Sequence, residues 1–487
     1  MKYTIKTLAL AAAITASAYS QADWSTYSLT STSAGMAPMA MTEDDSGYVY
    51  VVGNTPGGNG NICVQKFDTS GSLVTSAEFG NGNDLEEGFD IQFGPDGNLY
   101  FLGRTGSALW VECINTSLSS IWQKTITTTT PTGSTSPNLP YRIAMGGSAG
   151  TPICYATTHV RETLGGTVDL TSLGSPKAVF VAKIVSGGTP TTATWNGSIS
   201  GTPDNLYGAH AISNGLALVT DSKYAYSSGF GSSTVSRVQY TKFDSSLSLA
   251  WSTPTGTVDP NANNHLDIPS QTMMIDDKVY TSFSTVTIDP VSSDYGLDCN
   301  IGMDCSGGSA GSWLPSPNTS YHRTGYVTGP NVASWGGGTG YWQSQVVSVG
   351  WGHYLSSVFD GDTYPTYYGS WIRQVASADG GSILDGILNT TGSSFDKFRP
   401  DQNQRCFSAA NGHLAGLARL TDSTHFYYLT DKVSAGSATG TATLTSGYAT
   451  DQIRQVMASR NSNRVYILLD VYNSSSIHRT ALYAFDR

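Results

Sequence analysis

Charge is scarce in this 487-residue chain: Asp, Glu, Lys and Arg together make up 13% of it, about half the usual share. No cluster of Lys and Arg occurs, and 36 acidic against 25 basic side chains leave a net charge of −11. Affinity for nucleic acid phosphates is built from clustered cations, so nucleic acid is excluded as an expected partner, and an anionic membrane surface is disfavoured in the same way. Long apolar runs are lacking as well. After residue 22 nothing is long or apolar enough to span a bilayer, and no membrane insertion is expected. Helical periodicity is nearly absent, which excludes helix-bundle and α/β classes.

Catalytic signatures are also wanting. "GGSAG" occurs at 146–150 and at 307–311, but a nucleophile elbow needs a strand running into a helix, with an acid and a His following. Ser148 falls where related hairpins have a turn, and Ser309 lies in a Gly/Ser loop. Binding is therefore favoured over turnover.

What is present begins with an export signal at 1–22. Lys2 and Lys6 precede the apolar "LALAAAITASA", too short for a membrane span, with cleavage after Ala18 or Ala22. The mature chain is expected outside the cytoplasm: extracellular, at the cell surface or periplasmic. The 54 Gly, with many Ser and Thr, point to an all-β fold with tight turns.

The chain repeats itself. "MAPMAMTEDDSGYVYVVG" at 36–53 and "GFDIQFGPDGNLYFLG" at 88–103 share one plan: a short apolar strand, an Asp/Gly turn and a β-branched, aromatic strand closing on Gly. Third and fourth strands follow in "NICVQKFDTSGSLVTSAEF" (61–79), "SALWVECINTSLSSIWQKTI" (107–126) and "SRVQYTKFDSSLSLAWSTPT" (236–255). Weaker copies of the first hairpin start near Tyr141, Ala209, Gln271, Gln345, Gly416 and Ile453. The expectation is a β-propeller of four-stranded antiparallel blades, eight favoured and seven the runner-up, in one domain over 23–487. The chain ends on "LYAFDR", without the strand that follows "KFD" at 242–244, whereas "DWSTYSLT" at 23–30 belongs to no complete blade. Pairing these two stretches would close the ring and remove an exposed edge; a disordered N-terminal tail is the alternative.

"DDSGYVYVVGNT", "VQKFDTSGSLV" and the "WSTY" strand resemble the exported bacterial β-propeller repeats of the SBBP type, well over 36–126 and 236–256 and poorly over 285–345. The resemblance implies a propeller fold and an exported compartment and no particular reaction. The family is tied to seven blades, where the repeats here count eight.

Several residues are candidates for chemistry. Asp90, Arg142, His210 and Arg454 stand near the starts of inner strands, where radial symmetry would gather them at one channel mouth, able to move a proton or hold an anion; channel-lining strands are also polar merely because they face water. "DPNANNHLD" spaces Asp259, Asn261, Asn263 and Asp267 like oxygen ligands for calcium, without the Gly and closing Glu of the usual loop. An inter-blade loop explains the stretch equally, and beyond a structural calcium there no cofactor is expected. Asp84, Glu86 and Glu87 in "NDLEEG" read as a solvated acidic loop. Residues 288–344 read as an insertion: Cys299 and Cys305 are spaced for a disulfide in an oxidising compartment, and Trp313, Tyr321, Trp335 and Tyr341 lie amid Gly, Ser and Pro as binding rings or as a satellite core.

Three functions follow in order. The first is a monomeric binding or adhesion scaffold for a glycan or an extracellular protein. A lyase or hydrolase acting on extracellular polysaccharide comes second, and a purely structural surface protein third.

Overall fold

A computed structural model describes residues 25–30, 35–56, 60–80, 85–106, 108–126, 141–163, 167–169, 177–195, 201–228, 231–255, 265–275, 277–287, 295–304, 311–312, 342–349, 353–360, 370–376, 384–387, 407–410, 413–419, 425–434, 437–445, 450–462, 464–472 and 477–486. Side chains are described chiefly within 35–158, 179–195, 206–220, 239–252 and 454–484.

The described residues contain strands and turns and no helix. They form seven sheets, six of four or five strands and one of eight. Successive strands pair antiparallel within each, as short Asp/Gly turns dictate. The first sheet runs Ala37–Glu43, Val49–Asn54, Ile62–Phe67, Leu73–Phe79, and the second Glu86–Phe93, Leu99–Thr105, Ala108–Ile114, Ser120–Ile126. The third is built on Arg142–Ser148, Thr151–Thr163, Lys177–Val185 and Thr191–Trp195. In the eight-stranded sheet, Gly201–Thr255 and His265–Ser312 are two such groups joined by a parallel bridge between Ser236 and Leu266. In the terminal sheet, Ser25–Thr30 lies antiparallel to His478–Asp486, with Ser25 opposite Asp486 and Thr30 opposite Ala481. This is a β-propeller: small antiparallel sheets packed face to face around a set of inner strands.

Each inner strand touches the next. Ala37–Glu43 touches Glu86–Phe93, and the succession passes through Arg142–Ser148, Gly201–Ile212, His265–Ile275, Trp342–Val349 and Phe407–Ala410 to Thr450–Ala458, which touches Ala37–Glu43. Apolar cores fill the spaces between sheets. Tyr50, Val52, Ile62 and Val64 of the first face Ile91, Phe101 and Trp110 of the second. Met41, Val51 and Phe67 of the first face Tyr466, Leu468 and Leu482 of the terminal sheet.

Polar clasps sit on top of these cores. Several inner strands carry a bulge, with register slips between Pro38 and Ala40, Gly88 and Asp90, and Ile453 and Gln455. The residue after the bulge can reach the next sheet: Gln455 Oε1 accepts from Met41 N (2.8 Å) and Asp90 Oδ2 from Ile143 N (3.0 Å). Ala40 has no acceptor to offer, and Ile91 N is met instead by Asp90 Oδ1 (3.0 Å). A second tier lies further out, where Lys66 Nζ donates to Thr116 O (2.9 Å) and, two sheets later, Lys183 Nζ donates to Ser245 O. Glu43, itself buried, latches the first sheet to the last by accepting from Ser459 Oγ (2.7 Å) and Arg460 N (2.8 Å).

The turns between third and fourth strands are one device repeated. Asp68, Asn115 and Asp244 each accept, through Oδ1, the backbone N–H groups two and four residues on. The fourth turn residue has φ of 84° at Gly71 but 63° at both Leu118 and Leu247. A left-handed Leu costs about 1–2 kcal/mol, offset here by burying the side chains between sheets, which contributes roughly 1.5–3 kcal/mol each. Leu118→Gly should therefore lower stability by only about 1 kcal/mol in urea titration, whereas Leu102→Ala, a buried strand residue, should cost about 2–5 kcal/mol.

Cys63, Cys113 and Cys154 are free and buried. Burial, reinforced by the Glu78 carboxylate, pushes the Cys63 thiol up to about 12. Burial does the same at Cys113, to about 12, and raises Cys154 as well. Thiolates are the reactive species, so peptides bearing these three should resist iodoacetamide at pH 8 in the native protein and label fully in guanidinium. Native labelling at any of them would contradict the packing.

Candidate functional site at the channel mouth

Inner strands run from one side of the propeller, here called the mouth, to the side bearing the Asp/Gly hairpin turns. The mouth side is uneven. In the first sheet the second strand runs from Val52, opposite the post-bulge residue Ala40, only to Asn54. In the eight-stranded sheet the equivalent Val219, opposite Gly208, continues to Ser228 and returns from Gly231, an excess of about 20 Å at 3.3 Å per residue. Thr151–Thr163 and its partner Thr167–Asp169 also project on this side, as do Lys278–Thr287 and Tyr295–Asp304. Among the described residues, the mouth-side hairpins of the third sheet and of the eight-stranded sheet rise above those of the first two sheets.

The four residues expected at the mouth have different fates. Asp90 is fully buried, and its two oxygens are taken by Ile91 N and Ile143 N. The expectation of a channel acid is corrected there: the carboxylate is an inter-sheet brace. Arg142 begins its strand on the same level, half-buried, with its guanidinium donating to Tyr141 O (3.0 Å). His210 stands two residues further toward the turn side, opposite Ala217, and its Nε2 meets Thr272 Oγ1 (2.7 Å). Arg454 is the bulge residue of the terminal sheet and donates through NH2 to Asp470 Oδ2 (2.7 Å). The structure thus places Arg142 and Arg454 near the mouth, commits Asp90 to a tie between neighbouring sheets and His210 to one between the two strand groups of the eight-stranded sheet.

Glu86 and Glu87 do not lie in a solvated loop. Glu86 is fully buried as the first residue of an inner strand, and Glu87 pairs with the buried Arg104 opposite it. Beside them Phe89 and Tyr141 stack at 3.9 Å. Burial pushes the Tyr141 phenol up to about 12, with Arg104 pulling the other way. Asp84 lies outside the described residues.

Of the calcium set, Asp259, Asn261 and Asn263 lie outside the described residues, and Asp267 sits within the strand His265–Ile275. Among the described residues no three His, Cys, Asp or Glu side chains gather as for a metal. Trp313, Tyr321, Trp335 and Tyr341 also lie outside. The first part of the expected insertion supplies strands, Tyr295–Asp304 and Gly311–Ser312, and the chain rejoins at Trp342, where an inner strand begins on the mouth side. Cys299 stands in mid-strand opposite Phe283. Its expected disulfide partner Cys305 lies outside the described residues.

Three mouth-side residues passed unnoticed in the sequence. Asp470, fully buried, also accepts from His478 Nδ1 (2.9 Å), and the His478 ring lies 4.7 Å from that of Tyr472. "DVYNSSSIHRT" carries no motif; the available signal was that Tyr472 and His478 fall opposite each other once the last two strands are put in register.

No protein-family model and no curated protein sequence matches the chain. Solved structures do resemble it in fold. The polysaccharide lyase Uly1 matches over 94% of this chain and 90% of its own, with 9% identity and a TM-score of 0.44. The β-propeller domain of the Trilobed protease from Pyrococcus furiosus matches over 93% and 95%, with 10% identity and a TM-score of 0.40. A catalytically inactive virginiamycin B lyase from Staphylococcus aureus matches over 96% and 100%, with 10% identity and a TM-score of 0.36.

Proposed function

We propose that this chain is an exported binding or adhesion scaffold whose mouth face takes up an extracellular glycan. In this reading residues 1–22 direct export, and the eight groups of strands form one ring closed by the two ends of the chain. The observation that carries it is the asymmetry of the two faces. The turn side repeats one compact Asx turn, whereas the mouth side carries the long projecting hairpins and is where the aromatic stretch at 313–341 rejoins. Variable projections on a rigid scaffold are where binding resides.

Binding is favoured over hydrolysis because glycoside cleavage asks for two accessible carboxylates some 5–9 Å apart, and among the mouth-side carboxylates whose side chains are described, Glu86, Asp90 and Asp470 are buried and Glu87 is paired with Arg104. Glycan rather than nucleic acid follows from the scarcity of cations.

The test is a glycan array and an extracellular-protein pull-down with the mature chain. Retention of one or more glycans, reduced by Arg142→Ala, is expected. A protein partner captured with no glycan bound would overturn the ligand class.

A further inference from the structure

The Arg454, Asp470, Tyr472 and His478 group on the mouth side of the terminal sheet leaves one hydrogen-bonding atom unspent among the described residues. Asp470 Oδ2 lies 2.7 Å from Arg454 NH2, and His478 Nδ1 lies 2.9 and 3.0 Å from Oδ1 and Oδ2. A carboxylate only accepts, so Nδ1 carries the hydrogen, and Nε2 of the neutral ring is left as an acceptor. It has no partner among the described residues, and the His478 side chain is 39% exposed. The partly exposed Tyr472 ring flanks it, tilted by 43°. At the position of Asp470 the first sheet has Asn54, which accepts from Gly88 N (2.6 Å), and the second has Arg104, paired with Glu87. Those two side chains are consumed inside the fold. In the terminal sheet the same position instead holds an imidazole outward beside an aromatic face.

We infer that Tyr472 and His478 form a subsite for an uncharged polyhydroxylated ligand, a neutral glycan. The C–H face of a sugar ring packs on Tyr472, and a ring hydroxyl donates to His478 Nε2. Asp470 is the positioning residue, and Arg454 balances its buried charge, so this pair offers no net positive charge to a polyuronate. This rests on the mouth-face reading above and names the ligand class it takes.

Titration calorimetry with laminarin, xylan and dextran as neutral probes and alginate as the polyuronate tests the subsite in the full mature chain. The wild type should bind at least one neutral probe. His478→Ala and Tyr472→Ala should weaken that binding tenfold or more, with His478→Gln, which keeps an acceptor, losing less. Imidazole ¹⁵N shifts should report hydrogen on Nδ1 in the wild type and lose that signature in Asp470→Asn. Neutral-glycan binding undiminished in His478→Ala but lost in Arg142→Ala would remove this subsite and leave the mouth-face reading standing. Binding of alginate alone would overturn the ligand class, and no binding to any of the four would overturn both readings.

Discussion

Removing residues 23–31 lowers the melting temperature by roughly 3 °C and makes the protein associate. Six residue pairs join Ser25–Thr30 to the last strand. Cross-strand pairs contribute roughly 0.2–1 kcal/mol each, about 3 kcal/mol in all, and a loss of that size moves the midpoint of a large domain by several degrees. The truncation also bares the edge of His478–Asp486, with its unpaired N–H and C=O groups, which invites pairing between copies. Scanning calorimetry and sedimentation velocity read the two effects separately. A truncated protein that melts and sediments like the full chain would show that the N-terminal strand closes nothing.

Asp90→Ala is expected to cost about 2–5 kcal/mol. The carboxylate serves two buried backbone donors, Ile91 N in its own strand and Ile143 N in the next sheet, and an unpaired buried N–H costs about 1–3 kcal/mol. Asp90→Asn keeps one acceptor oxygen and should lose about half as much. Gln455→Ala strands only Met41 N and should cost about 1–2 kcal/mol. Guanidinium midpoints of the three variants rank them; an Asp90→Ala midpoint equal to the wild type would mean that the clasp contributes nothing.

The propeller was legible because its hairpins announce themselves. Gly47 and Gly97 take φ of 82° and 79°, a requirement that the Asp/Gly turns advertise, and the alternation of apolar residues reveals the strands on either side. The clasps were hidden for a physical reason. Asp90 reaches a backbone N–H 53 residues away, and a backbone donor leaves no mark in the sequence. Glu86 and Glu87 misled because two adjacent acids look the same whether a loop solvates them or a strand buries one and pairs the other with Arg104. Tyr472 and His478 come together only through strand register, and their own segment has no unusual composition.

Hydrogen–deuterium exchange of the mature chain, with and without the glycan best retained on the array, tests most directly whether the mouth face is the binding face. The account predicts added protection at 161–163, 221–238 and 472–478, with the turn-side segments 44–47, 68–72, 115–119 and 244–248 unchanged. Protection confined to those turn-side segments would contradict it.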